Sequence, residues 1–270
     1  MSFPAPPFPV PGAVLDTEFS DESGHPVVQL HGLTSSRERD RFLDLDLGRG
    51  LSGTRLLRYD ARAHGRSTGR AVPDDYRWPS LARDLLALLD DRFPGQAVHG
   101  VGPSMGSATL LHAALMDPGR FSGLTLMLPP TAWETRRERA GDYRASADLV
   151  EAHGVQALID RDASKSRPPA TVGTPDTRPD VHESLLPSVL RGAALSDLPA
   201  PEALAALDVP VTLLAWTEDP VHPVSTAEAL AKILPHARLR IASTPAEVAT
   251  WPSELAADVA AAPVAASGTP

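Results

Sequence analysis

Gln96-Ala97-Val98-His99-Gly100-Val101-Gly102-Pro103-Ser104-Met105-Gly106-Ser107-Ala108-Thr109-Leu110-Leu111 is the stretch that decides the fold. Gln96 to Val101 is an apolar run and reads as a buried strand. Gly102-Pro103-Ser104-Met105-Gly106 is G-x-S-x-G. Met105 to Met116 reads as a small-residue helix, stopped by Asp117-Pro118-Gly119. Taken alone, the pattern also fits a Gly-rich strand-to-helix turn with no chemistry. In strand–turn–helix context it predicts a sharp, strained turn that lifts the Ser104 hydroxyl above the strand ends, at a helix N-terminus that favours negative charge.

The flanking sequence repeats the strand–helix rhythm. Val27-Val28-Gln29-Leu30, Arg55 to Tyr59, Leu124 to Leu128, Val209 to Trp216 and Arg238 to Ala242 read as further strands. Leu81, Leu85, Leu88 and Leu89 recur at helical spacing and predict a helix over about 78–91. Ser225-Thr226-Ala227-Glu228 has the pattern of a capping box, placing a helix at about 225–234. Strands separated by helices mean an α/β fold with a mainly parallel sheet and helices on both faces. Residues 1–13, rich in proline, read as an extended arm that cannot join a sheet centre. Residues 14–129 and 208–262 form the expected core, and 263–270 a flexible tail. Residues 130–207 break the rhythm and read as a helical insertion. Thr131-Ala132-Trp133-Glu134 would cap its first helix, a second helix would cover roughly 143–160, and 163–180 would be a loop.

The chain has 270 residues, a net charge of −9, 42% hydrophobic residues and no cysteine. The hydrophobic content supports one sizeable core. The acidic balance argues against nucleic acid and against anionic membranes. Without cysteine there is no disulfide framework, thiolate metal site or thiol nucleophile. No signal peptide or membrane span is apparent, and a cytoplasmic protein is expected. No motif for a cofactor or metal is found, so none is expected.

Two loops accompany the serine. His31-Gly32-Leu33-Thr34 follows an early strand and is placed to supply an oxyanion loop, with the backbone N–H groups of Leu33 and Met105 directed at a carbonyl oxygen. His31 reads mainly as a structural residue of that loop, with substrate contact as its other expected role. Asp60-Ala61-Arg62-Ala63-His64-Gly65-Arg66-Ser67 reads as a tight loop in which Asp60, Arg62 and His64 are structural.

With these motifs in order, the chain resembles the α/β-hydrolase superfamily, in particular its esterase and enol-lactonase-like branch. The resemblance covers about residues 14–260 and departs at Ala63, where the family usually has glycine. It implies that Ser104 is a nucleophile, that Asp219, just past the Val209–Trp216 strand, is the acid, and that residues 130–207 are a helical cap. The family's catalytic histidine follows the last strand, near Thr244 or Pro245 here. That loop reads Ser243-Thr244-Pro245-Ala246-Glu247, and no histidine follows His236. A serine hydroxyl needs an adjacent base, and loss of that base costs on the order of 10⁶ in turnover.

His222 is the candidate replacement. It lies three residues after Asp219, at the strand edge where open α/β sheets bind ligands. His153 and His182 in the insertion rank below it. His236 is expected at the opposite sheet edge, His99 and His112 in packing, and His25 in an early turn. Glu134 is an alternative acid. Trp133 could wall an apolar acyl pocket, and Arg136 and Arg137 could bind a carboxylate or simply form a solvated face with Tyr143 nearby. The expectation is a cofactor-free serine hydrolase for a small ester, lactone or enol-lactone. The rival is a catalytically impaired relative that binds a small ligand or a protein. A third reading is a non-hydrolytic reaction on the same scaffold. Oligomeric state is not legible.

Overall fold

The computed structural model describes residues 3–262; the tail expected at 263–270 lies outside them. Eight strands form one sheet: β1 (Phe3–Val10), β2 (Ala13–Asp21), β3 (His25–Gln29), β4 (Thr54–Tyr59), β5 (Val98–Pro103), β6 (Phe121–Met127), β7 (Val211–Trp216) and β8 (Ala237–Ala242), in the order β1-β2-β4-β3-β5-β6-β7-β8. β1 pairs with β2, and β2 with β4, antiparallel; all other pairings are parallel.

Side chains alternate across this sheet with the two-residue period of a strand. Val28, Leu57 and Leu213 face one core with α2 (Trp78–Arg92), α3 (Met105–Met116) and α7 (Val224–Ile233). Val27, Leu56 and Leu214 face a second core with α9 (Trp251–Ala261). The sheet is thus covered on both faces, which is why its strands read as continuous apolar runs. The remaining helices are α1 (Arg37–Phe42), α4 (Trp133–Asp162), α5 (Leu186–Ala194), α6 (Pro201–Leu204) and α8 (Pro245–Val248).

The proline-rich start lies away from the sheet centre, and three local expectations after it are corrected. The proline-rich start is the outermost strand, in a hairpin whose register slips between Ala5 and Phe8; an edge position tolerates the missing proline donors. The insertion's first helix is not capped by Thr131. Its N-cap is Ala132, whose N–H donates to Thr135 Oγ1 at 3.2 Å. The helix expected at about 131 and the one at 143–160 run together as α4, broken at Gly154, whose φ of 78° only glycine adopts freely. Likewise Ser225 does not cap α7, which starts one residue earlier after Pro223. A true capping box stands elsewhere: Thr244 Oγ1 accepts from Glu247 N, and Glu247 Oε2 accepts from Thr244 N.

α4 and α5 pack on each other through Ala147, Val150, Leu158, Leu186 and Leu190, with Leu33 and Tyr143 against the same cluster. The insertion therefore sits over the loop that follows β3. No described helix is long and apolar enough to cross a membrane.

Candidate active site

Ser104 sits between β5 and α3 with φ 53° and ψ −109°. A non-glycine residue with positive φ stores strain, held here by close packing of backbone on backbone. Gly102 and Gly106 make that packing possible. A Cβ on Gly102 would lie 2.9 Å from Leu30 Cβ, and one on Gly106 3.1 Å from the His31 carbonyl oxygen. The Ser104 amide donates to Met127 O at 2.9 Å, anchoring the turn to β6.

His222 Nε2 lies 2.9 Å from Ser104 Oγ, and His222 Nδ1 lies 2.8 Å from Asp219 Oδ2. The three residues expected from sequence are thus one hydrogen-bonded chain. The local sequence explains how two of them share a turn. Asp219 Oδ1 accepts the backbone N–H of Val221 at 2.8 Å and of His222 at 3.2 Å, an Asx turn closed over Pro220. Pro220 presets φ within the turn, and Pro223 ends it at the start of α7. Trp216 Nε1 also donates to Oδ2, at 2.6 Å. Burial would raise the Asp219 carboxyl, but the His222 and Trp216 donors and the Val221 amide hold it well below the usual carboxylate range. An ionised Asp219 accepts a hydrogen bond from His222 Nδ1–H, so Nε2 carries the free lone pair that faces the Ser104 hydroxyl.

The loop after β3 stands beside the serine: a Cβ on Gly32 would lie 3.8 Å from Ser104 Cβ. Met105 is the first residue of α3, so its N–H has no partner within the helix. Leu33 follows Gly32 in that loop, and Met105 follows Ser104 in the chain.

That loop is braced by two buried histidines. His31 Nε2 accepts from Ala61 N at 2.9 Å, so Nδ1 carries the proton donated to Gly32 O at 2.8 Å. His64 Nε2 accepts from Thr34 N at 3.3 Å, and its Nδ1 donates to Arg62 O at 2.7 Å. Burial lowers both rings, His64 to about 3, so both are neutral near pH 7. The expected substrate contact of His31 is therefore corrected: it is 3% exposed with both ring nitrogens engaged by backbone. A strap from the insertion adds to the brace. Asp180 N donates to Thr34 O, Gly65 N to Asp180 O, and Val181 forms a bridge with His64.

Other candidates fall elsewhere. Trp133 is half-buried, with its indole bonded to Pro199 O and its amide to Asp197; both bonds go to the segment before α6. Arg136 is buried against Trp78 and Tyr143 and donates to Ala193 O and Ser196 O, so it caps α5. Glu134, Arg137, His153 and His182 are exposed. His99 bonds to Thr125, His112 to Asp197 O, His25 to Ser122 and His236 to Asp208. The residue that sequence reasoning missed is Trp216. Its position as the last residue of a buried strand was legible, but its donor role depends on the bend of the turn that follows.

Fold and site together define a class. The profile of the alpha/beta hydrolase fold matches residues 25–147. The chain is 30% identical over 195 residues to the 3-oxoadipate enol-lactonase 2 of Acinetobacter baylyi, covering 69% of each protein. The chain belongs to the α/β-hydrolase superfamily. Two solved structures share its fold. The enol-lactonase from Burkholderia xenovorans LB400 superposes with a TM-score of 0.73 at 18% identity, covering 94% of this chain and all of that one. A thermophilic esterase from Thermogutta terrifontis gives 0.72 at 19%, covering 96% and 99%.

Proposed function

We propose that the protein is a serine hydrolase for small carboxylic esters, lactones or enol-lactones, working without a cofactor and with His222 as a base in a non-standard position. The observation that carries this reading is the unbroken chain Ser104 Oγ–His222–Asp219, with bonds of 2.9 and 2.8 Å. The enol-lactonase and esterase relatives support the substrate class.

In this mechanism Ser104 Oγ attacks the carbonyl carbon while His222 Nε2 takes the hydroxyl proton. Asp219 holds the ring through Nδ1 and stabilises the imidazolium. The oxyanion forms against the Leu33 and Met105 N–H groups, where one donor is worth about 10²–10³ in rate. The intermediate collapses, the alkoxide or enolate leaves, and His222 returns the proton to it. Water then attacks the acyl-serine with His222 again as base, releasing the acid and restoring Ser104. The neutral histidines behind the oxyanion loop place no competing positive charge on the loop. Residues 130–207 act as the cap, with Leu33 and Tyr143 at its underside and Trp133 at its base.

The test is reaction with a fluorophosphonate followed by intact mass. A single adduct should form on the native protein and be absent in Ser104→Ala. His222→Ala should slow labelling by at least about 10³-fold, the scale expected for loss of a triad base. An adduct that survives Ser104→Ala, or labelling unchanged in His222→Ala, overturns the assignment.

A further inference from the structure

Asp219 Oδ2 accepts two side-chain donors, His222 Nδ1 at 2.8 Å and Trp216 Nε1 at 2.6 Å. Oδ1 accepts the Val221 and His222 amides. Four donors match the roughly four lone-pair sites of a carboxylate. Three of them belong to the turn 219–222 itself. Trp216 alone comes from the sheet, as the last residue of β7. The Trp216 ring is 8% exposed and stacks on Trp251, with centroids 6.0 Å apart and planes at 21°. Trp251 opens α9, directly beyond the Thr244–Glu247 capping box that stands where the family resemblance would put a histidine.

We infer that Trp216 is a positioning residue for the acid–base turn, and that the C-terminal segment serves the site by clamping Trp216 through Trp251. The inference rests on the reading of Ser104, His222 and Asp219 as the catalytic chain. The carbonyls of this turn are tied to the insertion, Val221 O accepting from Thr131 N and Pro220 O from Arg139, both at 3.1 Å, but these bonds hold its backbone and not the Asp219 carboxylate. The indole N–H ties the carboxylate itself to the sheet, because the Trp216 backbone is fixed in the β7–β8 ladder and its ring is fixed between the sheet and α9.

The substitution Trp216→Phe keeps an aromatic ring against Trp251 and removes the donor. In an ester assay, kcat should fall about tenfold with KM within about twofold, since a hydrogen bond to a charged group is lost but no substrate contact is. A tryptophan that merely packs would lower the melting temperature and leave kcat in place.

A readout independent of turnover is the indole N–H spectrum of the ¹⁵N-labelled protein. The Trp216 resonance, assigned by its loss in Trp216→Phe, should lie downfield of the other indoles. It should move upfield in Asp219→Asn, which replaces the charged acceptor. A Trp216 resonance indifferent to Asp219→Asn overturns the inference. So does a Trp216→Phe protein with native kcat. If the native protein fails to react with fluorophosphonate, the hydrolase reading fails by itself, and the indole shift still decides whether Trp216 holds the carboxylate.

Discussion

Asp40 gives a test of how burial sets charge in this fold. It lies on α1 with 2% exposure. The Ser35 hydroxyl donates to Oδ1, and Oδ2 has no hydrogen-bond partner among the described residues. Burial pushes the carboxyl from 3.8 up to about 7; the Ser35 bond and Arg39 offset part of this, and Asp46 and Asp60 add to it. A carboxyl raised in the folded state contributes its stability in full below the unfolded value of 3.8. That contribution is lost as pH rises through about 7. The interval is worth about 4 kcal/mol at about 1.4 kcal/mol per pH unit. Asp40→Asn keeps an acceptor for Ser35 and cannot ionise. In urea denaturation series at successive pH values, the variant's stability relative to native should be near its minimum at pH ~4, climb with pH, and level off above ~7 at about 4 kcal/mol more. Any fixed cost of the amide shifts this curve without changing its slope. A difference that stays flat over that range would refute the reasoning.

Two further perturbations probe the loop after β4. Asp84→Leu should cost about 3–5 kcal/mol in urea denaturation, because the buried Arg62 guanidinium loses the carboxylate that binds it through both oxygens and keeps only Pro11 O and the Asp75 carboxylate at 3.7 Å. Gly65→Ala should cost about 1–3 kcal/mol, since Gly65 has φ 50° and a Cβ there would lie 2.4 Å from Asp60 Oδ2; a thermal melt equal to the native one would contradict it.

The parallel strands and their covering helices were legible because burial on both faces leaves continuous apolar runs, as at Val27-Val28 and Leu213-Leu214. The elbow was legible because its two glycines are demanded by backbone packing at fixed offsets from the serine. His222 could be singled out because a three-residue spacing after a strand end lets an Asx turn fold it back onto Asp219. What sequence did not disclose depended on contacts distant along the chain. The β1–β2 hairpin is held by pairing that proline tolerates only at an edge. His31 and His64 look like polar loop residues until the Ala61 amide and the Thr34 amide are brought to them. Arg136 on an arginine-rich helix reads as solvated, yet its nitrogens find the Ala193 carbonyl at the end of α5 and the Ser196 carbonyl just beyond it. Of the S/T-x-x-E patterns at Thr131, Ser225 and Thr244, only the last is a cap; tertiary packing chose among equal local signals.

The shared turn of Asp219 and His222 has a consequence for how the constellation is assembled. Three side chains from three separate loops require two long loop closures, each with its own entropy cost. Here the imidazole and carboxylate meet through a closure of three residues, and only the meeting of Ser104 with His222 spans distant sequence. The acid–base pair therefore meets the serine through one long-range register, that between the elbow and the end of β7. Insertions within 219–222 disrupt acid and base together, whereas the Ser243–Glu247 loop is released from supplying a proton acceptor and can drift in sequence as long as Trp251 keeps its seat.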